Sequence, residues 1–342
     1  MEGQRKKMKL IPLSGNEAYA INQTNLVVGS SLIYDEHFSA AFHLNPFDPT
    51  TEYLSEEVAK RISRVPERSA ADFEFNFTTQ PNSTLQISGT TVPFNLIHPY
   101  NYFHFLIEAL PSLLALIRAQ FIAPDHIIIS GILHANMLHA FKIATDNRFQ
   151  LAELNLLTAV KSSKTIVAKD SFVGNEPISG KMLENFHYND ANLLALRELF
   201  EQRIPMRAPA QLKVFIVRRS GQRNILNNDA LIAAAQGQGF IVIEPEKFTF
   251  AQQVDLFRSA SIIVGPTGAW LANLLFVRAG VKVKVLYPHT CKASVSFWWK
   301  LGSIFDVAVT EHYFEALKVN PYQPIHSDFT VDLPTFTRLL NE

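Results

Sequence analysis

At 342 residues, with Lys+Arg and Asp+Glu both at 31, the chain carries no net formal charge, so no overall field favours nucleic acid. A hydrophobic fraction of 47% against 18% charged residues describes a globular protein long enough for two domains, and it excludes disorder and a coiled coil. The single cysteine, Cys291, excludes an intrachain disulfide and a cysteine-built zinc cluster, which is compatible with a reducing compartment.

The chain opens on a short basic cluster, Arg5-Lys6-Lys7 and Lys9, followed by Ile11-Pro-Leu-Ser-Gly-Asn16, which breaks any apolar run. No segment reaches the roughly 20 apolar residues of a membrane span. The expectation is a cytoplasmic protein with at most peripheral contact to an anionic inner-membrane surface. The triplets at Asn22, Asn76 and Asn82 would accept glycans only in a secreted protein and are discounted.

Leu26-Val-Val-Gly29, Phe73-Glu-Phe-Asn-Phe77 and Thr84-Leu-Gln-Ile-Ser88 predict strands among Pro, Asn, Asp and Ser clusters. From Asn101 to Gln120 the apolar residues fall at helical spacing, with Phe103, Leu106, Ile107, Leu110, Leu113 and Leu114 as one stripe and Pro111 as a kink. Ile127 to Ser130 predicts a strand, Ala135 to Thr145 a helix, Lys164 to Ala168 a strand and Asp190 to Gln202 a helix. Together these suggest an α/β domain over residues 1–204.

Two prolines in Ile204-Pro-Met-Arg-Ala-Pro-Ala-Gln211 predict a linker. Beyond it, strands at Lys213 to Arg218, Phe240 to Glu244, Ile262 to Val264 and Val281 to Tyr287 alternate with helices at Asp229 to Gln236, Phe250 to Ser259 and Ala269 to Phe276. That alternation implies right-handed crossovers and a parallel sheet over residues 205–321. A last helix, Pro334 to Leu340 within 322–342, is expected to return to the first domain. The fold class is α/β, with two Rossmann-like domains facing a central cleft where ligands would bind.

Chemistry-bearing residues gather at the predicted carboxyl edge of the second sheet. Arg218 and Arg219 follow its first strand, with Ser-Gly-Gln-Arg-Asn224 after them; Glu244-Pro-Glu246 follows the second, and Gly265-Pro-Thr-Gly268 the third. In the stretch from Ser261 to Phe276, Gly265 and Gly268 would release the backbone where a helix begins. The first amides of that helix, with its dipole, can hold an anion. Arginine beside such a turn suits a diphosphate, and Thr267 could add a hydroxyl. The plainer readings are an ordinary strand-to-helix turn, surface salt bridges for Arg218 and Arg219, and capping for Glu244. Neither a Gly-x-Gly-x-x-Gly nor a P-loop pattern is present.

In the first domain His104 and Glu108 lie four apart on one helical face, so the carboxylate can orient the imidazole as a general base. The plainer reading is a satisfied core histidine in a helix capped by Asn101. His98 lies nearby without a partner at helical spacing. No Asp-x-Asp or His-x-x-x-His occurs, so no metal is expected.

Asn101-Tyr-Phe-His-Phe-Leu-Ile-Glu-Ala-Leu-Pro111, Arg218-Arg-Ser-Gly-Gln-Arg-Asn224, Glu244-Pro-Glu246 with Phe250-Ala-Gln-Gln-Val254, and Gly265-Pro-Thr-Gly-Ala-Trp-Leu-Ala-Asn-Leu-Leu-Phe276 together resemble family 61 glycosyltransferases, in order and spacing across about residues 98–290. The resemblance implies a GT-B architecture and an inverting transfer from a nucleotide sugar, a UDP-sugar in better-known members; neither a cofactor nor a metal is expected. It implies catalytic roles for His104 and Glu108, with either as the base. Donor contacts would come from Arg218, Arg219, Asn224, Glu244, Gly265, Pro266, Thr267, Gly268, Ala269 and Asn273, and acceptor-side positions from Asn101 and Tyr102. The acceptor would be a glycan or lipid-linked saccharide, in a bacterial enzyme of capsule or lipopolysaccharide synthesis; homo-oligomerisation stays open. The family pattern has histidine where this chain has Thr267. Rival readings are a nucleotide-sugar epimerase of GT-B fold and a catalytically degenerate nucleotide-binding member.

Overall fold

A computed structural model describes residues 10–12, 18–30, 32–34, 41–43, 62–64, 75–77, 81–96, 98–168, 188–205, 211–218, 221–291, 297–319 and 326–342. The chain divides into two compact units, 1–175 and 176–342. Among the described residues no helix is long and apolar enough to cross a membrane.

The β-branched and alternating runs of the first unit form β1 (Leu10–Pro12), β2 (Ala18–Val27), β3 (Leu32–Tyr34), β4 (Ala41–His43), β5 (Ile62–Arg64), β6 (Phe75–Phe77), β7 (Ser83–Pro93), β8 (Ile127–Gly131), β9 (Gln150–Leu154) and β10 (Thr158–Ala168). An 8-stranded sheet runs β4-β3-β2-β10-β7-β8-β9, with β1 beside β2. Pairing is antiparallel from β4 through β3 and β2 to β10, and parallel from β10 through β7 and β8 to β9. Among the described residues of this unit, strands alternate with helices over β7, β8 and β9, joined through α1 (Leu110–Arg118) and α2 (Ala135–Thr145). Elsewhere the sheet departs from the expected Rossmann-like alternation, because short connections such as that from β2 to β3 can join only antiparallel neighbours.

Ile21, Leu26, Val28, Ile33, Ile87, Leu96, Ile129, Val160 and Val167 make the buried core of this sheet. The β10–β7 pairing shifts register between Ser162 and Lys164, where one residue of β10 faces two of β7, and beside it the hydroxyls of Ser162 and Thr165 meet those of Thr24 and Thr91. The hydroxyls of Thr24 and Thr165 lie 2.6 Å apart, and Thr91 donates to Ser162 at 3.0 Å, so these buried polar groups satisfy one another.

In the second unit the strands are β11 (Leu212–Ile216), β12 (Ile241–Ile243), β13 (Ala260–Pro266), β14 (Lys282–Pro288), β15 (Ala308–Phe314), β16 (Ala316–Lys318) and β17 (Asp328–Phe329). Its helices are α3 (Asp190–Arg203), α4 (Asn228–Gly237), α5 (Phe250–Ser259), α6 (Phe297–Ile304) and α7 (Leu333–Asn341). The main sheet is 5-stranded and parallel throughout, in the order β12-β11-β13-β14-β15, as the strand–helix alternation predicts. Helix starts follow the sequence: Thr249 and Gln252 form a reciprocal capping box on α5, and Asp332 caps α7 ahead of Pro334.

The units separate ahead of the expected 204/205 boundary, for a reason of packing. Phe200 of α3 lies with Phe250 and Phe276, at ring separations of 5.2 and 5.6 Å, and Arg258 donates to the carbonyl of Ile204 at 2.6 Å. Helix α3 thus belongs to the second unit, and residues 206–210 of the expected linker lie outside the described residues. Helix α7 likewise packs within the second unit. Phe336 packs on Phe215 at 5.0 Å, and buried Lys284 donates to the Leu339 carbonyl at 2.6 Å.

Candidate functional site

The strand order of the second sheet picks out one position. The chain leaves β11 for β12 on one side and returns to β13 on the other, so the connections after β11 and β13 diverge and open a crevice at their carboxyl ends. Arg218 stands just beyond β11, and Pro266 to Ala269 lead out of β13.

The two strands approach closely there. A Cβ on Gly265 would lie 2.7 Å from Cβ of Ile216, so glycine is needed for space. Gly268 has φ 173 and ψ 176, extended backbone open to any residue, so its role is not the conformational release expected from the sequence. A Cβ there would instead lie 3.6 Å from Nη1 of Arg218, which sets the guanidinium against the Gly268 backbone. On the other side, Nη2 is 2.9 Å from where a Cβ of Gly221 would stand, and Gly221 also has φ +86. Two glycines therefore flank the guanidinium.

Residues Ala269–Phe276 form a 3-10 helix, tighter than the ordinary helix the spacing suggests. Its first bond runs from the Leu271 amide to the Gly268 carbonyl at 3.1 Å, leaving the amides of Ala269 and Trp270 without an acceptor inside the helix. Trp270 holds the turn in place, donating from Nε1 to the Pro266 carbonyl at 2.6 Å and stacking on Phe257 at 6.1 Å. The Thr267 amide donates to the Leu286 carbonyl and continues the sheet. Its buried hydroxyl has no hydrogen-bond partner among the described residues.

Other expected donor residues take different places. Asn273 is fully buried and donates to Oε1 of Gln253 at 3.1 Å; Gln253 in turn donates to the carbonyls of Pro245 and Phe248. It braces the turn after β12 from beneath. Glu244 pairs with Lys247 at 2.8 Å, and its side chain does not cap the turn. Asn224 shapes the Arg218 loop through Nδ2, which donates to the Gly221 carbonyl at 2.8 Å and to Oδ1 of Asp328 at 3.2 Å. Arg219 lies outside the described residues.

In the first unit the residues after β7 turn into a helix whose start, His104–Ala109, is π-helical and runs directly into α1. Pro111 has no amide to offer Ile107, and the amide of Leu110 donates to the Phe105 carbonyl five residues back. The kink expected at Pro111 thus takes the form of a widened turn. On it, Nδ1 of His104 and Oε1 of Glu108 hydrogen bond at 2.7 Å, both partly exposed. The Asn101 side chain accepts the Phe103 amide at 3.0 Å and caps the helix, which is its plainer reading. Tyr102 is partly buried, and burial raises the pKa of its phenol.

His98, without a partner by helical spacing, stacks on His104 at 4.3 Å with planes 27° apart. Pro99 beside it is pinned by close approach: a Cβ on Gly131 would fall 2.4 Å from Cβ of Pro99. Burial, and then the neighbouring His104 charge, bring the His98 pKa down to about 4, so it remains neutral at pH 7. Among the described residues, no grouping of His, Cys, Asp and Glu could hold a metal ion.

Compared with known proteins, residues 102–284 match the family described as Glycosyltransferase 61, just over half of the chain, from the helix of His104 into β14. No curated protein matches the chain.

Proposed function

We infer the reaction from family and geometry together: the chain belongs to the glycosyltransferase 61 family and is therefore a glycosyltransferase, and its two groups of residues suit an inverting transfer from a nucleotide sugar to a hydroxyl. The observation that carries this reading is the Arg218 guanidinium held against Gly268 where β11 and β13 diverge. Guanidinium and outward amides of Ala269 and Trp270 offer donors to a diphosphate from two directions. They act when the bond to the anomeric carbon breaks and its electron pair stays on the diphosphate oxygen.

His104 suits the base. A carboxylate can only accept, so the 2.7 Å bond to Glu108 implies a proton on Nδ1 and a lone pair on Nε2. That nitrogen removes the acceptor hydroxyl's proton as the oxygen attacks, in one displacement that inverts the anomeric configuration. Glu108 orients the ring and balances the imidazolium. The GT-B arrangement, a UDP-sugar donor, a glycan or lipid-linked acceptor, independence from metal, and a bacterial surface-glycan setting at the cytoplasmic side of a membrane belong to the same proposal.

The test is turnover of His104→Ala, Glu108→Gln and Arg218→Gln with a nucleotide-sugar panel, with donor hydrolysis as control and product anomers assigned by NMR. Loss of the base should cost about 100- to 10,000-fold, and loss of one leaving-group donor about 100-fold or more. Glu108→Gln should retain more activity than His104→Ala, because an amide oxygen still accepts from Nδ1. Wild-type rates in His104→Ala and Arg218→Gln would end the assignment, and retained configuration would end the single displacement.

A further inference from the structure

The Arg218 loop is built on a segment more than a hundred residues downstream. The Arg223 amide donates to the His326 carbonyl at 3.4 Å, and the Asn224 amide to Oδ1 of Asp328 at 2.8 Å. The Phe329 amide donates to the Asn224 carbonyl at 3.0 Å, and the Leu226 amide to Phe329 at 2.8 Å. These bonds hold His326 beside a loop carrying Arg218 and Arg223. Nδ1 of His326 is buried and has no hydrogen-bond partner among the described residues, a state that costs free energy until a partner arrives. The carboxylate on the same segment, Asp328, is engaged by Asn224 through Oδ1.

We propose that His326 is a further residue of the diphosphate site, one that takes up a proton as negative charge develops on the departing diphosphate. The inference rests on the reading of the Arg218 turn as that site. Burial, then the positive charges of Arg223 and Arg218, lower the imidazole's pKa in the free protein, so it is neutral there near pH 7. An anion between these groups reverses the sign of the field. In the donor, the oxygen that bridges to the sugar is esterified. After cleavage it keeps the bonding electron pair, and the added charge draws a proton from solvent onto His326. The imidazolium then donates to phosphate oxygens more strongly in the product complex than in the donor complex, which is differential stabilisation of the leaving group. His326 lies beyond the 102–284 match, so this contribution comes from a part of the chain outside the matched segment.

Calorimetric titration with inorganic pyrophosphate tests this on wild type, His326→Gln and Arg218→Gln, at pH 6 to 8 in buffers of different ionisation enthalpy. Subtracting variant from wild type removes the protons that belong to pyrophosphate itself. Wild type should take up a sizeable fraction of a proton that His326→Gln does not. Its affinity advantage should widen toward low pH, by roughly ten-fold for each unit that binding raises the imidazole pKa. Equal affinity and equal uptake in His326→Gln, with binding lost in Arg218→Gln, would overturn the proposal and leave the diphosphate site standing. Wild type and Arg218→Gln binding alike, or not at all, would overturn the site itself. Histidine ring NMR of the wild type guards against a folding defect: a His326 titration unmoved by bound pyrophosphate also refutes the proposal.

Discussion

Acidification should expose the neutral state of the half-buried His98. The folded ring titrates at about 4 against 6.5 in the unfolded chain, so below 6.5 the unfolded state binds a proton that the folded state refuses. The sign follows: stability is intact above pH 6.5, falls as the pH drops toward 4, and levels off below. Between pH 7.5 and 5.0 this single group removes about 2 kcal/mol. His98→Phe keeps an aromatic ring on His104 but has no proton to bind, so it should lose about 2 kcal/mol less over that range. Urea unfolding of both proteins at pH 7.5, 6.0 and 5.0 measures the difference, and carboxylate contributions common to both cancel. Parallel stability curves for wild type and variant would refute the assignment of a half-buried, neutral His98.

Gly268→Ala should fold normally, since its extended backbone accepts a side chain and the new methyl meets Trp270 and Arg218 at ordinary contact distances of 3.4 and 3.6 Å. Its turnover should fall because the methyl occupies the approach to the amides; thermal melts beside donor kinetics check both halves. Gly265→Ala should do the reverse, losing about 1–3 kcal/mol of stability because its Cβ meets Ile216 at 2.7 Å. Exhaustive treatment with EDTA should leave turnover unchanged if Arg218 and the turn amides carry the leaving-group charge, and loss of rate restored by a divalent cation would contradict that reading.

The parts of this molecule that announce themselves in the sequence are those whose partners lie close along the chain. Ile262 to Val264 reads as a buried strand, Phe250 to Ser259 as the helix that α5 is, and His104 with Glu108 are paired by spacing alone. The adjacency of β11 and β13 is different. Both strands are visible, but their order in the sheet depends on packing across the whole unit, and only that order brings Arg218 to Gly268. His98 and His326 acquire their neighbours by loop closure, so no local spacing points to them.

Asn273 shows how a small change in backbone geometry redirects a side chain. In an α-helix it would sit about 40° around the axis from Ala269, near the anion-facing side, whereas three residues per turn rotate it by about 120°. It faces Gln253 instead. The place of helix α3 is hidden from local sequence for a similar reason: its aromatic partners, Phe250 and Phe276, are some fifty and more residues away.

The bonds from residues 326–329 to the 223–226 loop also set a timetable for biosynthesis. A ribosome makes about 5–20 residues per second, so Arg218 emerges several seconds before the segment that braces its loop. Nascent chains and prematurely terminated products would carry every residue from 102 to 284 yet lack this brace. The loop that carries Arg218 would then reach its braced form only late in translation.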